Sequence, residues 1–291
     1  MSVNIPQLRA LLAVVDTGGF STAAVELGLS QSAVSHAVAS LERALAAPLV
    51  VRASPVRPTT VGERVLPHAR LALSAVRSVE EVAADAAATL TGTVRLAATP
   101  SVSKGLLPGL LRHWRQVQPG VTVRVFEADS TEVAVWLEEG TADAAVLVDP
   151  PPGPGRQLAA DCYRALLARD HPLAGEPVVH VRDLADDPLL TSTNSCESRI
   201  RTIHRLAGVP FAPAQRVRDL PTLISMVQAG VGVAILSEVT RSVIPDDLVL
   251  LPLEPHVTRR LVLSGPSARS WHAAVGALAT SAVDHLGGGA R

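Results

Sequence analysis

Between Gln31 and Arg43 the side chains able to hydrogen-bond collect on one face of a predicted helix. They are Gln31, Ser32, Ser35, His36 and Arg43, with the small Ala39 among them. Apolar Val34, Val38, Leu41 and Leu45 recur at steps of four, three and four and form the other face. A solvated helix usually carries a Glu/Lys mixture; this one presents short, mostly uncharged donors and acceptors. Such a face suits the base edges of the DNA major groove. A plain helical hairpin with a polar surface would show the same pattern, so both readings stand at this point.

The elements around that helix must hold it outward. Asn4 is placed to cap a first helix running to Val15, with Ile5, Leu8, Leu12 and Val15 along one side and Phe20 as a core anchor. Ser21 is expected to cap a second helix, with Ala23, Ala24 and Leu27 inward, Gly28 stopping it and Leu29 plugging the corner. Ser30 caps the third. Pro48–Arg52, a turn at Ala53–Arg57 and the return at Pro58-Thr59 read as a small wing, placing Arg52 and Arg57 for phosphates or the minor groove. Thr60 and Glu63 form a capping-box pattern that opens a long helix. Val65, Ala69, Ala72, Val76, Val79, Ala83, Ala86 and Leu90 then follow a 3.5-residue period, the mark of a helix that seeks another helix. Pro67 should kink its early turns.

From Gly92 onward strands and helices alternate, which predicts a mainly parallel sheet covered by helices. Strands are expected at Thr93–Ala98, Val121–Phe126, Ala144–Val148, Tyr163–Ala168, Leu189–Thr193, Gln215–Val217, Gly232–Leu236, Val249–Leu253 and Arg259–Leu263. Helices are expected near Lys104–Val117, Thr131–Glu139, Glu197–Ala207, Leu220–Ala229 and Trp271–His285.

Composition narrows the function classes. With 291 residues, 47% hydrophobic and 18% charged, the chain has material for two or three cored domains and is not disordered. No signal peptide and no uncharged run of about 20 residues is visible, so a cytoplasmic protein without a membrane partner is expected. Cys162 and Cys196 form no CxxC or Cys/His cluster, which argues against a structural zinc or disulfide framework. The histidines are scattered and no nucleophile elbow or phosphate loop appears, so neither catalytic residues nor a cofactor are expected. Residues 1–60 carry four arginines against three carboxylates, a local charge of only +1. DNA affinity then needs a few well-placed arginines, helix N-termini and more than one copy of the domain.

The chain resembles the LysR-type transcriptional regulators along nearly its whole length. The resemblance rests on Gln7-Leu8, Gly19-Phe20-Ser21, Ala23-Ala24, Leu29 through Ser35, Leu41-Glu42, Pro48-Leu49, Arg52, Pro58-Thr59 and Gly62. It continues through Leu107-Pro108, Pro119-Gly120, Asp143, Asp170-His171-Pro172-Leu173 and Gly230-Val231-Gly232. It implies a winged helix-turn-helix domain at 1–60, a pairing linker helix at 61–91, and a two-lobed α/β effector domain at 92–291 that is similar to periplasmic binding proteins. Lobe I would span about 92–158 and 264–291, lobe II about 164–258, with crossovers near Gln157–Tyr163 and Arg259–Leu263. The resemblance further implies dimers or tetramers. Where the family usually carries an arginine after the recognition-helix serine, this chain has His36, and further basic positions hold Ala39 and Ser40. The first helix has Leu11 and Leu12 where an aromatic residue is common. Cys196 falls in the loop where peroxide-sensing members keep a reactive cysteine, but no second cysteine occurs between Glu197 and Gly208.

In two-lobed α/β domains ligands meet the carboxyl ends of strands. The strand-to-helix loops here carry Thr99, Ser101 and Ser103, then Ser130, then Thr193 and Asn194. With helix N-termini nearby, the expected ligand is a small carboxylate or similar anion, with a neutral polar effector as the other possibility because no arginine clamp is evident. The sequence thus predicts a regulator that binds double-stranded DNA through Ser21, Gln31, Ser32, Ser35, His36, Arg52 and Arg57, and that is switched by a small effector. The alternatives are a ligand-independent architectural DNA-binding protein, or a solute-binding or enzymatic α/β domain fused to a DNA-binding module.

Overall fold

The computed structural model describes residues 2–84, 90–193, 196–267 and 270–288. The chain divides near residue 90 into two compact units.

In the N-terminal unit Asn4 opens α1 (Ile5–Thr17). Its side chain accepts from Gln7 N at 3.1 Å, while Gln7 Oε1 accepts from Asn4 N at 3.0 Å. The exchange satisfies donors that every helix start leaves open. Gly18, at φ 72°, ends α1 in a conformation that a side chain would strain. The helix α2 (Phe20–Leu27) begins earlier than expected. Gly19 O accepts from Ala23 N at 3.0 Å, so Ser21 stands inside the helix, exposed, and is not the cap.

Ser30 Oγ accepts from Ala33 N at 3.2 Å and opens α3 (Gln31–Leu45) as predicted. Val34, Val38 and Leu41 are fully buried in one core with Leu8, Leu11 and Val14 of α1 and Ala23 and Ala24 of α2. Burial of each such side chain contributes about 1.5–3 kcal/mol. Two apolar residues depart from expectation: Leu45 is 39% exposed and Leu29 54%. The last turn of α3 runs past the core. At the α2–α3 corner the backbone closes on itself, with Leu29 N donating to Ala24 O at 3.0 Å, and the Leu29 side chain faces out.

The wing is present: β1 (Val50–Val51) pairs antiparallel with β2 (Arg57–Pro58). Thr59, not Thr60, caps α4 (Thr60–Ala84). Its Oγ1 accepts from Gly62 N at 3.0 Å and donates to Pro48 O at 2.7 Å, so Thr60 is already helical and its box with Glu63 does not form. Ala69 is buried in the N-terminal core and Val65 and Ala72 pack against it; Val76 is half-buried and Val79 is 72% exposed. Pro67 stands within the helix. Ala86 lies outside the described residues, as does the Ala83 side chain, and Leu90 is not helical but packs on the α/β core.

The second unit contains β3 (Gly92–Ala98), α5 (Pro100–Gly105), α6 (Leu107–Val117), β4 (Val121–Glu127), α7 (Ser130–Glu138) and β5 (Ala144–Val148). There follow β6 (Arg156–Ala168), β7 (Val179–His180), β8 (Leu189–Ser192), α8 (Cys196–Ala207), β9 (Gln215–Val217) and α9 (Leu220–Gln228). Then come β10 (Val233–Ser237), β11 (Leu248–Glu254), β12 (Thr258–Ser264) and α10 (Ala273–Gly288). The helix expected near 104–117 is broken in two; Pro108, lacking an N–H, stands in the first turn of α6.

One sheet runs in the order β4-β3-β5-β12-β6-β10-β8-β9, with β11 on β6 and β7 on β11. Its outer portions are parallel, β3 with β4 and β5, β8 with β9 and β10. The middle is antiparallel. Arg156 to Cys162 of β6 pairs with β12, and Tyr163 to Ala168 pairs with β10 on one side and β11 on the other. The segment Gln157–Tyr163, expected as a crossover, is therefore continuous strand that serves both lobes. Arg259–Leu263 is likewise paired strand, and the chain returns between lobes at 255–257. One lobe buries Leu96, Leu110, Trp114, Leu261 and Leu278 together, with Trp114 Nε1 donating to Leu278 O at 3.0 Å. The other sets Leu223 and Val227 of α9 against Leu190 and Ala234, and Ile200 and Ile203 of α8 against Val233 and Ile235.

Candidate functional site

Two sets of residues carry chemistry, one in each unit. In the first, α3 turns Gln31, Ser32 and His36 to solvent, leaves Ser35 half-buried and Arg43 exposed, and hides its apolar stripe. The Ser30 and Ser32 hydroxyls lie 3.0 Å apart at its start. Glu42 fixes the wing against this helix, its Oε1 accepting from Leu49 N at 2.8 Å and Val50 N at 3.3 Å.

The two wing arginines differ. Arg57 is exposed on β2. Arg52 folds back over α3: its Nη1 donates to Ser35 Oγ at 3.4 Å, its Nη2 is 3.8 Å from Glu42 Oε2, and its guanidinium is 5.1 Å from the Phe20 ring centre. At 52% side-chain exposure the ion pair is weak, so Arg52 is held lightly and can swing to another anion. Ser21 is exposed on α2. Glu42 and Phe20 were visible in the sequence as motif members, but not as the groups that position Arg52.

In the second unit a small cleft lies against β6 and β10, with Thr99, Ser101, Tyr163, Ser192 and Cys196 in its wall and Leu220, Leu223 and Ile235 below. Its volume of about 30 Å³ has room for about two waters. Thr99 is 4% exposed and its Oγ1 has no hydrogen-bond partner in the structure. A buried hydroxyl without a partner costs about 1–3 kcal/mol, so this one is poised for a ligand or a water.

Of the predicted effector residues, Thr99 and Ser101 are brought together here. Ser103, Ser130 and Thr193 lie outside the lining, and Asn194 is outside the described residues. Ser103 is further along α5. Asp129 takes the cap of α7, its Oδ1 accepting from Thr131 N at 2.8 Å and Glu132 N at 3.1 Å, so Ser130 is the first helical residue. Thr193 is exposed beyond β8, its N–H bound to Val217 O at 2.9 Å.

An arginine does stand behind the cleft wall, against Ser101, where none was expected. Arg259 on β12 is directly opposite Asp161 on β6, and both are buried. Asp161 Oδ2 accepts from Arg259 Nε at 2.7 Å and lies 2.6 Å from its Nη2. The guanidinium then reaches Ser101 Oγ at 3.4 Å from both Nη atoms and stands 5.7 Å from the Tyr163 ring centre. Asp161 Oδ1 accepts from Cys162 N at 2.8 Å and Val239 N at 3.1 Å. Removing one partner of such a buried pair costs about 3–5 kcal/mol. The signal for it was the alternation of Arg259, Leu261 and Leu263, which puts Arg259 on the inward face of a strand.

Burial pushes the Cys196 thiol above its usual range, the nearby Arg259 charge only partly offsetting this. Burial also raises the Tyr163 phenol and the Cys162 thiol. A wider open depression of about 480 Å³ beside Arg156, Trp271 and Thr280 holds none of the orphaned hydroxyls and no predicted residue.

Residues 5–63 match the family model described as bacterial regulatory helix-turn-helix protein, lysR family, and residues 87–287 match that of the LysR substrate binding domain. An uncharacterized HTH-type transcriptional regulator of Bacillus subtilis (strain 168), YvbU, is 31% identical over 92% of this chain and 93% of its own length. A probable hydrogen peroxide-inducible genes activator of Mycobacterium leprae (strain TN) is 34% identical over 81% of this chain and 78% of its own. Among solved structures, a full-length OxyR variant from Pseudomonas aeruginosa shares the fold with a TM-score of 0.79 at 22% identity, covering 97% of this chain and 95% of that one.

The raised Cys196 thiol has a consequence for reactivity, because the thiolate is the nucleophile. In a Cys162→Ser background, iodoacetamide at pH 7.5 should modify Cys196 at least about tenfold more slowly than free cysteine, with the rate still climbing above pH 9. A rate matching free cysteine would contradict the burial argument.

Proposed function

The chain belongs to the LysR family of DNA-binding transcriptional regulators, and on that premise we propose how its own residues divide the work. Gln31, Ser32, Ser35 and His36 read base edges from the major groove, while Ser21, Arg52 and Arg57 meet the backbone or the minor groove. A small effector binds at Thr99 and Ser101 in the α/β unit and changes DNA occupancy. The observation that carries this reading is the division of α3 into a fully buried apolar stripe and a largely exposed face of short hydrogen-bonding groups.

The protein works as a homo-oligomer, dimer or tetramer, paired through α4. Support comes from the exposed Val79 and half-buried Val76 on the 3.5-residue seam. Two copies also offset the +1 charge of residues 1–60, since each additional phosphate contact adds to affinity. The reading is of a cytoplasmic regulator that performs no catalysis of its own. Among the described residues no helix is long and apolar enough to cross a membrane.

A peroxide-sensing mode is suggested by the name of the Mycobacterium leprae relative and by Cys196 at the cleft. The raised thiol and the lack of a second cysteine between 197 and 208 weigh against it. The effector site is therefore read as a reversible binding site.

Changing Ser35 and His36 together to alanine should weaken binding to a selected operator by about 10–100-fold and erase its footprint, with the oligomer intact. An unchanged footprint would count against the recognition face. Val76→Asp should lower the sedimenting mass at micromolar concentration; an unaltered mass would show that the α4 seam packs within one chain. In a thermal-shift panel of metabolites, every compound that raises the melting point of the wild-type chain should lose that effect in Ser101→Leu, whose operator binding is retained. Shifts that persist would move the effector site elsewhere.

A further inference from the structure

Among the described residues, the wall of the cleft at Thr99 and Ser101 carries no charged side chain. Behind Ser101, Arg259 is neutralised by Asp161 at 2.6–2.7 Å, and Asp161 is further held by the N–H groups of Cys162 and Val239. The Cys196 thiol and Tyr163 phenol, both raised by burial, remain uncharged at neutral pH. Three further ion pairs, more exposed, stand on the surrounding elements. Lys104 lies 3.2 Å from Glu127, Arg164 2.5 Å from Glu238, and Arg199 2.8 Å from Asp149.

Among the described residues, the helix starts nearby carry a carboxylate or a proline. Asp219 occupies the start of α9, its Oδ1 accepting from Thr222 N at 2.8 Å. The helix α8 carries the Glu197 carboxylate in its first turn, and α5 is six residues long with Pro100, which has no N–H, at its start. An entering ion of either sign would meet no opposite charge in the described wall, because Arg259 and Asp161, buried behind Ser101, already neutralise each other. In a water-poor cleft its charge is not compensated. What the cleft does offer is an orphaned hydroxyl on Thr99, the Ser101 hydroxyl and an apolar floor.

We propose that the effector is an uncharged hydrogen-bonding molecule, an amide, alcohol or comparable group, with its polar end between Thr99 and Ser101 and the rest on Leu220, Leu223 and Ile235. This rests on the reading of the cleft as the effector site and selects between the two ligand classes that the sequence left open. The Arg259–Asp161 pair stays intact when the effector binds and acts as the device that excludes carboxylates.

The test uses acetamide and acetate, which match in shape and differ in charge, on the full-length protein at matched ionic strength with saturation-transfer NMR. Acetamide should bind at least about fivefold more tightly than acetate, a small difference in free energy but a measurable one. Thr99→Val should weaken acetamide, and Asp161→Asn, which leaves Arg259 without its counter-charge, should tighten acetate at least about tenfold. Acetate binding as well as acetamide to the wild type, or no signal from either, overturns the proposal. So does an unchanged acetate affinity in an Asp161→Asn chain whose circular dichroism is native. Should that variant not fold, the acetamide-to-acetate ratio on the wild type decides alone. Acetamide binding that survives Ser101→Leu is binding elsewhere, and overturns the effector-site reading itself rather than the charge argument.

Discussion

The burial of Val34, Val38 and Leu41 is the constraint on which the DNA-facing unit depends. A helix has one azimuth per residue, so fixing those three side chains in the core formed with α1 and α2 fixes where every other side chain of α3 points. Gln31, Ser32 and His36 are left in solvent by that same packing. The wing is tied to this orientation through one carboxylate: Glu42, three residues from the end of α3, accepts from the backbone N–H groups of Leu49 and Val50, just before Arg52. Apolar packing thus sets the polar face, and a single side chain passes the setting to the wing.

In the α/β unit a comparable role falls to β6. Its first half is hydrogen-bonded in one lobe and its second half in the other, so the two lobes share a strand and not merely a connection. The buried Arg259–Asp161 pair sits where β6 leaves β12, and Ser101 reaches it from α5. A ligand that touches Ser101 is therefore one hydroxyl away from the pair that links the strands. Coupling of the cleft to the lobes needs no long chain of contacts in this arrangement.

Much of this was legible in the sequence, and the misses share a cause. The 3.6-residue spacing in α3, the Asn4 and Ser30 caps and the strand–helix alternation after Gly92 are local patterns, and local patterns decide those features. The caps of α2 and α4 were misplaced by two residues and by one. Gly19 starts its helix through its carbonyl, and Thr59 is held by Pro48 O, a partner eleven residues away. Leu29 and Leu45 read as core because periodicity says nothing about where a core ends. Arg259 and Asp161 are 98 residues apart, and no local pattern pairs them; only the inward phase of the strand gave a hint. Thr99 and Ser101 could be named because strand ends gather ligands, whereas Ser130 and Thr193 follow the same rule and lie outside the cleft.

The central claim, that the hydrogen-bonding face of α3 is what touches DNA, is tested most directly by a crystal structure of the full chain on a duplex selected for tight binding from random sequence. The account predicts base-edge atoms within hydrogen-bond distance of at least one of Gln31, Ser32, Ser35 and His36, with α3 in the major groove. A complex in which that face points to solvent, while other elements hold the duplex, would contradict it.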